Sequence, residues 1–148
     1  MAVFRFRLQP VLEQRVREEK EHMRVVAELE SRRMQIEQHI RSCQSRISES
    51  RREVASILSS GRVDLGAAKL GSAATLRHDQ NARRGVLEMA AVLQQLERAR
   101  GDLVHAASRR RAIELLRDRD QERFRAEQDR REQAELDDLM IMGFRAAR

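Results

Sequence analysis

The sequence contains no Trp and no Tyr, one Pro, one Cys and four Phe among 148 residues. Without aromatic bulk, a chain of this length lacks the side chains that usually fill a compact core. The same shortage, with few β-branched and turn-forming residues, argues against a strand-rich fold. The single cysteine, Cys43, excludes an internal disulfide and any cysteine-based zinc site, and fits a reducing compartment. No run approaches the roughly 20 apolar residues of a membrane span, so no direct membrane insertion is expected. The opening Met1-Ala2-Val3-Phe4-Arg5-Phe6-Arg7-Leu8 reaches charge at once. It is not expected to act as a secretory signal.

What remains is a vocabulary of Ala, Glu, Arg, Gln and Leu, all good helix formers. Charged residues make up 36% and apolar residues 41%, so the chain is helical rather than disordered. The net charge of +6 rests on 28 Arg and two Lys (Lys20 and Lys69). Residues 1–60 sum to +3, residues 61–112 to +5 and residues 113–148 to −2. Signs are interspersed, as on a solvated helix surface. A basic coiled coil binding nucleic acid is the competing reading, but no aromatics are interleaved for base stacking.

A heptad register can be laid through the first segment. It places Leu8, Leu12, Arg15, Glu19, His22, Val26, Leu29, Arg33, Ile36, Ile40, Cys43, Ile47, Ser50, Val54 and Ile57 on one seam. The fit is good from Val26 to Ile57 and poor from Arg15 to His22. Pro10 sits where a first turn tolerates it. The clearest break is Ser59-Ser60-Gly61-Arg62-Val63-Asp64-Leu65-Gly66, with a second weak spot at Gly71-Ser72. A second helix follows, with an expected seam of Leu76, Val86, Met89, Leu93, Leu96, Leu103, Ala107, Ile113, Leu116 and Phe124. Its spacing drifts between Leu103 and Ile113, which predicts a register slip. Gly143 is a candidate C-cap.

The fold expected is all-α, one helical-hairpin domain over 1–148. Helix one covers about 8–59, the turn about 60–72, helix two about 73–142 and a tail 143–148. Two long helices with one break form an elongated antiparallel coiled-coil hairpin, its C-terminal helix the longer. With the turn near residue 63 or 64, residue i faces roughly residue 127 minus i. About 20 acidic C-terminal residues then overhang.

Catalytic chemistry finds little support. No phosphate loop and no nucleophile elbow occur. Glu19-x-x-His22 and Asp102-x-x-His105 place a carboxylate and a His on one helix face each. A metal site of that kind needs further carboxylates and more helices. No enzyme, cofactor or metal is expected. Arg109-Arg110-Arg111 reads as a solvated basic triplet. Phe4, Phe6 and Leu8 alternate with Arg5 and Arg7 and have two readings. They cap the hairpin's open end against helix two, or they anchor a partner.

The opening Phe4-Arg5-Phe6-Arg7-Leu8-Gln9-Pro10-Val11-Leu12-Glu13 resembles the start of the bacterial flagellar export protein FliJ family. Ala112-Ile113-Glu114-Leu115-Leu116-Arg117-Asp118-Arg119 is similar to that family's Leu-Glu-x-Leu-x-x-Arg stretch, with Phe124 where an aromatic follows. Glu132-Gln133-Ala134-Glu135-Leu136-Asp137-Asp138 resembles its closing segment, ending Asp-Asp where the family usually has Asp-Glu. The resemblance implies a cytoplasmic component of the flagellar type III export apparatus, peripheral at the inner membrane. It implies a coiled-coil stalk, similar to the central stalk of rotary ATPases. Its implied partners are the hexameric export ATPase, the export-gate membrane protein and export chaperones. The open end is expected to meet the ATPase ring, through Phe4, Phe6, Leu8, Phe124, Glu132, Leu136, Asp137 and Asp138. The shaft at Ile36, Ile40 and Ile47 is expected to serve the gate. The competing readings are a nucleic-acid-binding coiled coil, a generic structural adaptor or homodimer, and the stalk of a virulence-type secretion system.

Overall fold

The computed structural model describes residues 3–61 and 63–146, with side chains as far as residue 140. Two helices follow each other, α1 over Gln9–Ser59 and α2 over Leu65–Ala146, packed against each other, with no strand among the described residues. The longer helix is the C-terminal one, at 82 residues against 51. Among the described residues, neither is long and apolar enough to cross a membrane.

The connection is shorter than the sequence suggests. Ser60 donates from its hydroxyl to the Ile57 carbonyl at 2.7 Å, and its N–H bonds the Ser56 carbonyl at 3.1 Å, satisfying acceptors left at the end of α1. Asp64 then caps α2, its Oδ1 accepting from the Ala67 N–H at 3.0 Å. With that cap in place α2 starts at Leu65, not near residue 73, and Gly71-Ser72 lies inside it. Ser72 bonds back to the Ala68 carbonyl at 2.9 Å. At the other end α2 passes through Gly143 to Ala146, so Gly143 does not terminate it.

The chain divides into two compact units. One takes residues up to Glu21 together with those from Leu103 onward; the other is His22–Asp102. In each, the helices run antiparallel. In the His22–Asp102 unit, Val54 lies against Gly71, Ile40 against Gly85 and Glu30 against Arg100. In the terminal unit, Glu19 pairs with Arg110 and Phe4 with Phe124. Each of these pairs falls within one to three residues of the register expected from the turn.

Burial follows the heptad seam of α1. From Leu12 to Ile57 every seam position is buried or half-buried, including Arg15, Glu19 and His22. Leu8 is the exception, at 39% exposed, because it precedes the helix.

The seam of α2 agrees with the expected one at Met89, Leu96, Leu103 and Ile113 and differs elsewhere. In the His22–Asp102 unit it runs Ala68, Gly71, Thr75, His78, Ala82, Gly85, Met89, Val92, Leu96, Ala99, all buried or half-buried. In the terminal unit it continues Leu103, Ala106, Arg110, Ile113, Arg117 in unbroken steps of three and four, without the predicted slip. Leu76, Val86, Leu93 and Leu116, expected in the seam, are 43–59% exposed. The physical reason is size. The β-branched knobs of α1 require holes, and small residues opposite them supply these. A Cβ on Gly71 would lie 2.6 Å from Val54 Cγ2, and one on Gly85 2.8 Å from Ile40 Cγ1. The core is narrow. Val92 and Leu96, at 1% and 2% exposed, are its most buried large side chains. Burial of that kind stabilises by roughly 1.5–3 kcal/mol for each side chain.

Candidate functional site

The terminal unit holds most of the residues singled out in the sequence. The chain approaches α1 in a short non-helical lead, and the Gln9 N–H donates to the Phe6 carbonyl at 3.2 Å. Pro10 follows in the first turn, where its missing N–H leaves no ladder bond unmade. This lead turns Phe4 onto Phe124. The rings lie 5.6 Å apart at 54°, a tilted aromatic pair. Phe4, Phe6 and Phe124 are all half-buried, and Leu8 is exposed. Phe4 therefore closes the helix pair, as the first of the two readings anticipated.

Past Phe124, α2 continues for about 22 residues, roughly 33 Å. Residues 131–140 are all exposed. Glu132, Leu136, Asp137 and Asp138 stand on this segment. Leu136, Leu139 and Met140 are 60%, 65% and 74% exposed. The end of α2 thus sets an apolar strip among carboxylates and leaves it open to solvent.

Between the aromatic pair and Glu21 lies a polar layer that the sequence reading missed. Glu19 is 8% exposed and accepts from Arg110 Nε. Arg110 Nη1 also meets Glu114 Oε1 at 2.5 Å, and Arg111 reaches the other oxygen of Glu114 at 3.3 Å. The two carboxylates hold the Arg110 guanidinium more firmly protonated than usual, Glu114 first and Glu19 second. Bonding from Arg110 in turn holds the Glu114 carboxyl below the ordinary range. The triplet Arg109-Arg110-Arg111 is thus not one solvated face: its middle member sits in the seam. The signal was available in the sequence. The misfit at Arg15 to His22 on one helix is matched by charges at Arg110, Glu114 and Arg117 on the other. Such layers fix register at some cost in stability. His105 is exposed, with Ala106 taking the seam position. No cluster able to hold a metal occurs among the described residues.

The shaft residues fall in the His22–Asp102 unit. Ile36 is buried at 8%, and Ile40 and Ile47 are half-buried in the seam. Ile40 presses on Gly85. These three side chains lie in the seam between the helices. The outward surface beside them includes Met34, 56% exposed, which lines an open depression with Glu37, Gln38 and Arg41. Cys43 is buried, with His39 Nε2 at 3.7 Å from its sulfur.

No curated protein and no solved structure matches the chain. The family model described as "Flagellar FliJ protein" matches residues 4–148. That span begins at the Phe4 of the aromatic pair and takes in both helices and the acidic, apolar end of α2. The chain belongs to the FliJ family and is a component of the flagellar protein export apparatus.

Proposed function

We propose that this chain is a coiled-coil stalk that binds the hexameric export ATPase and promotes its assembly and activity. The observation that carries the reading is the exposed end of α2. Beyond the Phe4–Phe124 closure it presents Leu136, Leu139 and Met140 beside Glu132, Asp137 and Asp138. In this reading that segment, with Phe6 and Leu8 just before α1, enters the ring. The role of the Phe4–Phe124 pair is then to set the geometry of the segment. A second contact, with the export-gate membrane protein, is proposed on the outward side of the stretch that holds Ile36, Ile40 and Ile47, and so on Met34 and its neighbours. Assistance to export chaperones and a peripheral position at the cytoplasmic side of the inner membrane complete the proposal. No step of it requires chemistry by this chain.

The test is ATP hydrolysis by the cognate flagellar export ATPase, with and without the full chain, alongside light scattering on the mixtures. Stimulated hydrolysis and a hexamer-sized complex are expected. Leu136→Ser with Leu139→Ser should abolish both while helicity is retained, since neither side chain packs within the fold. Phe4→Ala with Phe6→Ala should weaken both and also lower thermal stability. Unchanged stimulation by the Leu136, Leu139 variant would refute the placement. Absence of any stimulation or complex would refute the stalk reading.

A further inference from the structure

Val86 and Leu93, expected in the α2 seam, are instead on its flank, and they belong to a heptad spacing of their own. Asp79, Arg83, Val86, Ala90, Leu93, Glu97 and Arg100 recur at steps of four and three. All seven lie in the His22–Asp102 unit. Val86 and Leu93 are 56% and 48% exposed, and Ala90 and Glu97 are exposed beside them. The stripe carries paired charge at both ends. Arg83 bonds Asp79 at 2.8 Å, and Arg100 reaches Glu30 of α1 at 2.5 Å.

This order is self-complementary when reversed. Laid antiparallel on itself about Ala90, the stripe sets Val86 opposite Leu93, Arg83 opposite Glu97 and Asp79 opposite Arg100. Ala90 meets its own copy, and its small side chain permits close approach. Each of the three unlike pairings occurs twice and the Ala90 contact once, as a closed two-fold interface requires. A parallel arrangement would instead set each charge against its like.

We propose that the stripe from Asp79 to Arg100 is a docking surface for a second copy of this chain, whose α2 packs antiparallel on it about a two-fold axis at Ala90. Three apolar side chains per copy form the centre, and opposite charges form both rims and set the register. So small a centre gives a weak, concentration-dependent dimer.

The test uses the full chain in sedimentation velocity over a wide range of concentration, with circular dichroism to confirm helicity. Wild type is expected to pass reversibly from monomer to dimer. Leu93→Glu places a carboxylate at the apolar centre and is expected to weaken association about tenfold or more. Arg83→Glu and Glu97→Arg are each expected to weaken it, and the double variant to recover it, because one chain then carries both halves of the swapped pair. Under oxidising conditions Ala90→Cys is expected to give a disulfide-linked dimer. Ala91→Cys, about 100° round the helix, is not, and wild type with its buried Cys43 serves as control. A chain monomeric at every concentration overturns the proposal, as does association indifferent to Leu93→Glu. Failure of the double swap to recover, or equal crosslinking at residues 90 and 91, overturns the antiparallel register.

Discussion

Gly85 and Gly101 offer a sign test of the helix packing. Both lie inside α2, where helix propensity alone predicts that Gly→Ala stabilises by about 1 kcal/mol. Their surroundings differ. A Cβ at Gly101 meets nothing within 4 Å, so Gly101→Ala should realise the full gain. At Gly85 the new Cβ would lie 2.8 Å from Ile40 Cγ1 and 3.5 Å from its Cδ1. Cγ1 is next to the branch point of a β-branched side chain that has essentially one rotamer in a helix. It cannot swing aside, and relief requires the helices to shift. Overpacking of this kind costs about 1–3 kcal/mol. Set against the propensity gain, Gly85→Ala should be neutral to about 2 kcal/mol destabilising. The two variants should therefore differ by about 1–3 kcal/mol, on the order of 2–12 °C in melting temperature for a chain of this size. Thermal and urea denaturation of both in the full chain, followed by far-UV circular dichroism, makes the comparison direct. A double-mutant cycle with Ile40→Ala should show favourable coupling between the sites. If Gly85→Ala melts above wild type and level with Gly101→Ala, then Ile40 does not press on Gly85 and the seam of α2 has been placed wrongly.

Two further outcomes follow from the charges. Glu19→Leu or Arg110→Leu alone should destabilise the terminal unit, because each leaves its partner's charge without its match across the helices. The double variant should be neutral or stabilising but lose uniqueness of register; denaturation and inter-helix spin-label distances check this. Glu18, Glu30 and Glu114 are held below their ordinary carboxylate values, chiefly by hydrogen bonds from Arg15, Arg33 and Arg110 respectively. Their contribution is complete above the unfolded value near 4.5 and is lost as pH falls through the lower folded values. Melting temperature should decline below about pH 4.5, and replacing all three with Gln should flatten part of that decline. The size of the effect should shrink in salt, since these groups are largely solvated.

The sequence alone determined the helical class, the break near Gly61 and the seam of α1. A 3.5-residue period of Val, Ile and Leu can be satisfied only by a facing helix, and a Ser-Gly-Asp cluster can only interrupt it. It also carried the family resemblance, through Phe4, Phe6 and the closing segment near Leu136. It revealed the seam of α2 only in part: Met89, Leu96, Leu103 and Ile113 stand where expected, but Ala68, Gly71, Ala82, Gly85, Ala99 and Ala106 were not foreseen. These have no large apolar side chain to register in a periodicity, and their meaning lies in what they receive, Val54 at Gly71 and Ile40 at Gly85. The same blindness sent Leu76, Val86 and Leu93 to the interior and left Gly71-Ser72 to the turn. Nor could one strand of sequence show that Glu19 and Arg110, 91 residues apart, complete each other. That pairing is decided only when the turn at Asp64 sets which layer of α2 meets which layer of α1. A helix's period says which side faces a partner, and only the partner's side chains decide what must fit there.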